Sequence, residues 1–113
     1  MKESELGRQA CPVARCLGVV GDRWTLMILR DAFSGVTRFE GFIGQCGASR
    51  AIVASRLKLL VRERVMQPVA YQQNPPRYDY RLTRKGRDLN GVMRALASWG
   101  GKWAGRRPAG PGK

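Results

Sequence analysis

The segment 74–86, with the sequence NPPRYDYRLTRKG, restricts the possible folds more than any other part of the chain. Within it, Tyr78, Tyr80 and Leu82 alternate with polar residues, which is the period of a β-strand, and we expect both tyrosines to face the core. A second run, 69–73, precedes two prolines, so the two runs are predicted to pair as a hairpin. Helical patterns adjoin the hairpin on both sides. The chain is therefore predicted to be mostly α with a small β-hairpin.

The first part of the chain contains three helical patterns. Pro12 opens the first, which carries one apolar stripe and ends at Gly21. Asp22 is a suitable N-cap for the second, roughly 23–33, which is apolar on most sides and is expected at the centre of the core. The third, 39–45, is short and is weakened by two glycines.

A stronger helical pattern follows a short glycine-containing turn. Ser49 is a suitable N-cap, and Val53, Leu57 and Leu60 form one apolar face of a helix that extends to about Arg64. Two helices joined in this way form a helix-turn-helix, and a basic hairpin directly after them is a wing. We therefore predict a winged helix-turn-helix (α+β) with about five helices and a two- to three-stranded wing. The polar face of this helix consists of Arg50, Ala51, Ala54, Ser55 and Lys58.

The last helical pattern carries an apolar stripe longer than one small domain easily covers. Thr83 is its expected N-cap, and the chain is expected to fray from Gly100 onward, where glycine and proline are frequent. An uncovered stripe usually marks an interface, so we predict a dimer contact here. In the alternative, the first helix folds back over the stripe within a monomer. The stripe consists of Leu89, Val92, Met93, Leu96, Trp99 and Trp103.

At 113 residues the chain has the length of one domain. We expect that domain to occupy residues 11–103, with dimerisation helices at both ends. Residues 1–10 are predicted to be a flexible N-terminus, and residues 104–113 a flexible basic tail.

The charge is strongly unbalanced, with 21 Lys and Arg against 8 Asp and Glu and a formal net charge of +13. Such an excess indicates an anionic partner, with nucleic acid as the first candidate and an anionic membrane surface as the second. No apolar run approaches the roughly 20 residues that a membrane-spanning helix needs. The N-terminus lacks the apolar block of a secretory signal, and an odd number of cysteines fits a reducing compartment, so a cytoplasmic location is expected.

The sequence is poorly suited to catalysis. It has no histidine, and its 8 carboxylates are scattered with none near an obvious nucleophile. It has neither a glycine-rich phosphate loop nor the Cys/His spacing of a zinc site. We therefore expect no enzymatic activity, no cofactor and no metal site.

The polar face after Ser49 has the chemistry of a major-groove reader. A helix fits the major groove of B-DNA, and its N-terminal residues reach base edges. Arg50 can pair with guanine through two hydrogen bonds, and Ser55 can bond to a base or a phosphate. Ala51 and Ala54 are small enough to approach thymine methyl groups. In the alternative, these positions form a solvated surface without a partner.

Basic residues of the hairpin and the following helix extend this prediction. Arg77 sits on a tip that two prolines stiffen, so little entropy is lost when it enters a minor groove or contacts a phosphate. The alternative is an exposed turn arginine without a partner. The other basic residues are expected to contact phosphates, which carry no direct sequence information. The predicted DNA-binding set is Ser49, Arg50, Ala51, Ala54, Ser55, Lys58, Arg77, Arg81, Arg84 and Lys85.

The three cysteines differ in their surroundings. Cys16 lies on the apolar face of the first helix and Cys46 in an apolar turn position, so both are predicted to be structural. Cys11 precedes Pro12, at the N-terminus of a helix in a strongly positive chain, which favours the thiolate. It is therefore either a redox-sensing thiol or an unreactive capping residue.

From about residue 11 to 103 the chain resembles the HxlR-type winged helix-turn-helix transcriptional regulators of bacteria. The most specific matching pieces are GDRWT (21–25), RL (56–57), PPRY (75–78), YRLT (80–83) and KG (85–86). The resemblance implies a homodimer that forms through the first and last helices, adding Val13 and Leu17 to the interface, and binds a pseudo-palindromic operator. It also implies repression or activation of transcription. Some members respond to electrophiles or oxidants through a cysteine beside the first helix, and Cys11 matches that position.

Three positions depart from the family pattern. Where this chain has Ala51, many relatives carry a polar residue, and where it has Cys46 they carry a leucine. Where it has Arg64, a helix-ending glycine is common, and a left-handed backbone is expected there. Base preference therefore does not transfer from relatives.

We interpret the chain as a homodimeric, sequence-specific DNA-binding regulator, and favour repression. One alternative is a basic protein that binds RNA or coats the nucleoid without sequence preference. Another is a small-molecule-responsive regulator whose ligand cleft is lined by Trp24, Phe42 and Trp99.

Overall fold

The computed structural model describes residues 3–106 and contains five helices of eight residues or more, together with one antiparallel hairpin. In chain order the elements are α1 (Glu3–Leu6), α2 (Pro12–Val20), α3 (Arg23–Phe33), α4 (Phe39–Cys46), α5 (Arg50–Arg62), β1 (Met66–Gln73), β2 (Pro76–Leu82), α6 (Arg84–Arg87) and α7 (Asn90–Trp103). This order confirms the predicted winged helix-turn-helix class, with two strands in the wing.

The core is built around α3 and α5. Ile28 and Leu29 of α3 are fully buried, as are Val53 and Leu60 of α5 and Phe42 of α4. Helix α3 contacts α2, α4, α5 and α7, so its place at the centre is as predicted. A helix that is apolar on most sides is stable only where neighbours cover it on most sides.

Local signals set the helix ends. Asp22 caps α3, since its Oδ2 accepts a hydrogen bond from the backbone N–H of Thr25 at 3.0 Å. Gly47 ends α4 in the left-handed region, with φ at 77°. Helix α5 ends at Arg62, two residues earlier than predicted, and Arg64 adopts the expected left-handed conformation with φ at 62°.

The hairpin is longer than predicted. Strand β1 begins at Met66, three residues before the expected start, and pairs with Leu82 at the end of β2. Pro68 lies within β1 opposite Tyr80, where the missing N–H is tolerated because a two-stranded sheet has only edge strands. The backbone N–H of Tyr80 also donates to the carbonyl oxygen of Thr37 at 2.6 Å, which fastens the hairpin to the segment before α4.

The alternation predicted for β2 is only partly correct. Tyr80 and Leu82 are half-buried against the core, but Tyr78 is 43% exposed, so the expectation that both tyrosines face the core is wrong for Tyr78. The hairpin extends beyond the core, and only its base is covered. Asp79, on the face expected to meet solvent, is 7% exposed because Thr37 and Arg38 cover it.

The two ends of the chain also differ from expectation. Thr83 caps only the single turn α6, and α7 starts separately at Asn90, so one continuous last helix is wrong. Residues 100–103 remain helical, so the prediction of fraying from Gly100 is wrong for these four residues. Helix α1 occupies a segment for which no regular structure was predicted. Of the predicted flexible tail, residues 107–113 lie outside the described residues.

Along the residues that the structure covers, no helix has the length and apolar character needed to cross a membrane.

Candidate nucleic-acid interface

Helix α5 presents the predicted polar face at the surface. Ser49 caps the helix through its Oγ, which accepts a hydrogen bond from the N–H of Ile52 at 3.2 Å. Three apolar side chains anchor the opposite face, with Val53, Leu57 and Leu60 between 0 and 2% exposed. On the polar face Ser49, Arg50, Ala51, Ser55 and Lys58 are exposed, and Ala54 is half-buried.

A shallow apolar cleft of about 350 Å³ separates α5 from the hairpin. Ala54 and Lys58 line it from α5, while Pro68 and Tyr80 line it from the strands. Arg62 lies on the same rim and is exposed. Arg62 was not among the DNA-binding residues predicted from sequence, although its position four residues after Lys58 puts it on the same helix face.

The wing carries Arg77 beside the turn and not at its tip. The turn consists of residues 74 and 75, and Arg77 lies on β2 opposite Gln72. The Arg77 side chain is exposed and forms no ion pair within residues 3–106. Arg38, which no local pattern had distinguished, stacks its guanidinium 3.9 Å from the centroid of the Tyr71 ring on β1. The start of α4 and the wing therefore form one basic surface.

A buried carboxylate partly neutralises the base of the wing. The hydroxyl of Thr37 donates to Asp79 at 2.9 Å, and Arg38 and Arg81 lie 3.3 and 3.5 Å from its oxygens. The hydrogen bond from Thr37 lowers the pKa of Asp79, the nearby arginines act in the same direction, and desolvation opposes them. Asp79 therefore remains ionised at neutral pH, and Arg81 is drawn towards it.

The two basic residues after Thr83 differ in their contacts. Arg84 is exposed. The Nζ of Lys85 donates to the carbonyl oxygen of Glu63 at 2.6 Å, which ties α6 to the C-terminus of α5. Cations at a helix C-terminus interact favourably with its dipole. Lys85 thus has a structural contact, in addition to the phosphate contact predicted for it.

A bidentate ion pair positions α5 relative to α3. The Nε of Arg56 donates to Asp22 Oδ2 at 2.8 Å, and its Nη2 donates to Oδ1 at 3.2 Å. The hydrogen bond from Arg56 is the main cause of the lowered pKa of Asp22, and the Thr25 N–H adds to it while partial burial opposes both. One carboxylate therefore caps α3 and orients α5.

The predicted dimer surface is exposed in the single chain. Leu89 and Met93 pack against the core, whereas the remaining stripe residues of α7 are exposed. On α2, Val13 is 67% and Leu17 44% exposed. The alternative in which α2 folds back over the stripe is therefore wrong within this chain. The exposed members on α7 are Val92, Leu96, Trp99 and Trp103.

The three cysteines differ in exposure. Cys11 is exposed as the N-cap of α2 and makes no side-chain capping hydrogen bond, while Cys16 and Cys46 are half-buried against the core.

The prediction of a ligand cleft lined by Trp24, Phe42 and Trp99 is wrong, because Phe42 is fully buried and Trp99 is 64% exposed.

The chain is similar in sequence to bacterial HTH-type transcriptional regulators. A relative from Mycobacterium tuberculosis, the uncharacterized HTH-type transcriptional regulator Rv3095, is 44% identical over 99 residues, which is 88% of this chain. The chain spans 62% of the length of that relative. YdeP of Bacillus subtilis, also an uncharacterized HTH-type transcriptional regulator, is 30% identical over 87% of this chain and 77% of its own length.

Solved structures share the fold. PA1607, described as a candidate transcription factor, superposes with a TM-score of 0.83 at 39% identity, covering 94% of this chain and 74% of its own. The reduced form of the redox regulator HypR superposes with a TM-score of 0.75 at 27% identity, covering 81% of this chain and 92% of its own. The family model described as HxlR-like helix-turn-helix matches residues 19–108. This chain therefore belongs to the HxlR-like helix-turn-helix family of transcriptional regulators.

Proposed function

We propose that this chain binds double-stranded DNA sequence-specifically as a homodimer on a pseudo-palindromic operator, and that it represses transcription. The observation that carries the proposal is the polar face of α5, where Arg50, Ala51 and Ser55 are exposed while the opposite face is buried. Small side chains beside an arginine allow a helix to approach base edges closely. We assign the protein to the cytoplasm, where a bacterial chromosome lies.

The charge favours a nucleic acid as the partner, and groove shape favours duplex DNA over RNA. The net charge of +13 supports sequence-independent attraction to phosphates. The major groove of B-DNA admits a helix, whereas the deep and narrow major groove of A-form RNA does not. Arg77 and Arg38, on the wing and beside it, would then meet the backbone or the adjacent minor groove.

The exposed stripe supports the dimer. Val13 of α2 and Trp99 of α7 leave large apolar side chains in solvent, which a second copy of the chain would cover. A two-fold dimer would present two copies of α5 about 34 Å apart, one turn of B-DNA, and its symmetry would match a pseudo-palindromic site. We favour repression because a dimer that occupies an operator can block transcription without a further surface.

Replacing Arg50 with alanine tests the proposal at one residue. We expect Arg50→Ala to weaken binding to the duplex that the wild-type protein selects from a randomised pool by about 1–3 kcal/mol. The loss on a scrambled duplex should be smaller, since phosphates accept other cations. Fluorescence anisotropy titrations at several salt concentrations measure both affinities.

Arg77→Ala is the matched comparison, because it removes an arginine expected to contact the backbone. It should weaken both duplexes similarly and reduce the slope of log affinity against log salt by about one unit. Equal losses on the two duplexes for Arg50→Ala would mean that Arg50 contacts only phosphate. Wild-type protein that binds selected duplex, scrambled duplex and structured RNA equally well would favour the nucleoid or RNA alternative.

A response to oxidants is a second candidate function, favoured by the exposure of Cys11 at the N-cap of α2. The similar protein HypR is named a redox regulator. Oxidation of Cys11 would place a polar group two residues from Val13, within the proposed dimer surface.

Limited hydrogen peroxide treatment followed by mass spectrometry of the peptides tests this response. We expect Cys11 to oxidise faster than glutathione in the same solution, and faster than Cys16 and Cys46, which are half-buried. A Cys11 rate no greater than that of glutathione would exclude a sensing role.

A further inference from the structure

Glu40 and Arg50 form an ion pair across the turn of the helix-turn-helix. The Nη1 of Arg50 lies 2.9 Å from Glu40 Oε2 and donates a hydrogen bond to Oε1 at 3.1 Å. The Phe39 ring supports the guanidinium from one face, with its centroid 5.1 Å from Cζ. Glu40 lies in the first turn of α4, and Arg50 is the first residue of α5. The residue best placed to read a base is therefore held by a carboxylate from the other helix.

The carboxylate uses only one edge of the guanidinium. Both contacts involve Nη1, and within the described residues no protein group hydrogen-bonds to the Nε and Nη2 edge of Arg50. That edge retains the parallel N–H donors that pair with two acceptors, such as O6 and N7 of guanine. Glu40 therefore restricts the orientation of Arg50 and leaves donors for a base.

The ion pair between Glu40 and Arg50 contributes little to the stability of the folded state. The side chains of Arg50 and Glu40 are 65% and 69% exposed, and exposed ion pairs contribute little to the folded state. The charge of Glu40 has a larger effect on an approaching polyanion, because binding without sequence preference depends on cations that displace counterions from phosphates. An arginine whose charge is balanced contributes less to that binding, while its directional hydrogen bonds to a base remain.

We propose that Glu40 is a specificity-determining residue: it holds Arg50 ready for a guanine and lowers affinity for the wrong sequences. The inference rests on the proposed function, because it assumes that α5 enters the major groove. A repulsive element of this kind gains specificity by weakening the competing complexes. Glu40 acts through Arg50 and needs no contact with DNA of its own.

The test compares two substitutions that remove the same charge. Glu40→Gln keeps the shape of the side chain, and Glu63→Gln makes the identical change at the C-cap of α5, the far end of the same helix. Affinities are measured for the duplex that the wild-type protein selects from a randomised pool and for a scrambled duplex of equal composition. Each titration is repeated at several salt concentrations.

We expect Glu40→Gln to tighten binding to the scrambled duplex several-fold and to steepen its salt slope by up to about one unit. Binding to the selected duplex should not tighten, so the ratio of the two affinities should fall at least several-fold. Glu63→Gln should leave the ratio unchanged.

Three outcomes would contradict the inference. An unchanged ratio for Glu40→Gln, or an equal fall for Glu63→Gln, overturns it while leaving the proposed function intact. Wild-type protein that fails to distinguish the two duplexes overturns the proposed function and this inference together.

Discussion

Replacing Gly86 with alanine is expected to lower the free energy of unfolding by about 3 kcal/mol, at the upper end of overpacking penalties. Gly86 is buried in α6, and a Cβ there would lie far inside van der Waals contact of the Val65 carbonyl oxygen. It would also lie 3.1 Å from the Val65 carbonyl carbon and 3.2 Å from Leu82 Cδ2. Because the obstacle is backbone, no side-chain rotation relieves it.

The same carbonyl has other contacts that would suffer. The carbonyl oxygen of Val65 accepts a hydrogen bond from the N–H of Thr83 at 3.0 Å, and the hydroxyl of Thr83 donates to the adjacent carbonyl oxygen of Arg64 at 2.6 Å. Thr83 in turn caps α6 by accepting from the N–H of Gly86 at 3.0 Å. Displacing α6 would therefore loosen the junction between α5, the wing and α7.

Gly91→Ala is the control, because no atom lies within 4 Å of a Cβ built on Gly91 in α7. Alanine is the better helix former, but Gly91 lies in the first turn of α7, so stability should rise by less than the roughly 1 kcal/mol of a helix interior. Urea unfolding at one fixed protein concentration measures both variants, since dimerisation makes stability depend on concentration. If Gly86→Ala unfolds at the wild-type midpoint, the packing described around Val65 is wrong.

Replacing Trp99 with alanine is expected to weaken the proposed dimer by about 2–4 kcal/mol, as for an interface hot spot. This corresponds to a dissociation constant raised about 30- to 1,000-fold. Trp99 is 64% exposed in the single chain and lies on one stripe with Leu96 and Trp103, which are 49% and 66% exposed. An isologous interface contains each residue twice, so one substitution removes two indole rings.

Sedimentation over a range of protein concentrations measures this loss. Arg94→Ala is the matched control, because Arg94 lies on the opposite side of α7 and is exposed. It should leave the dissociation constant nearly unchanged. Equal weakening by both substitutions would show that the stripe is not the interface, and a wild-type monomer at all concentrations would exclude the dimer. As Trp99→Ala weakens the dimer, affinity for the selected duplex should also fall, because a single chain on one half-site binds weakly.

Much of the fold was predictable from sequence because its signals are local. Asp22 and Ser49 cap α3 and α5 as predicted, since an N-cap side chain bonds to a backbone N–H two or three residues later. The spacing of Val53, Leu57 and Leu60 identified the buried side of α5 and thereby its polar side. Strand alternation succeeded for Tyr80 and Leu82 and failed for Tyr78, where the hairpin extends past the core.

The partners of the charged residues were not predictable in the same way. Asp79 is bound by Thr37, which lies 42 positions away in the chain, and Arg56 by Asp22, which lies 34 away. Neither contact follows from helix or strand periodicity. The same is true of Lys85, which the sequence assigned to phosphate contact and which bonds to the backbone of Glu63.

The amino-acid sequence by itself determined where α2 to α5 begin, which side of α5 is buried and how positive the molecule is, because capping, periodicity and charge depend on neighbouring residues or on composition. Only the tertiary structure decided which cations remain available to a partner. An arginine is available or restrained according to the carboxylates around it, and folding brings those carboxylates from distant parts of the chain. Arg77 meets none of them within residues 3–106, whereas Arg50 meets Glu40.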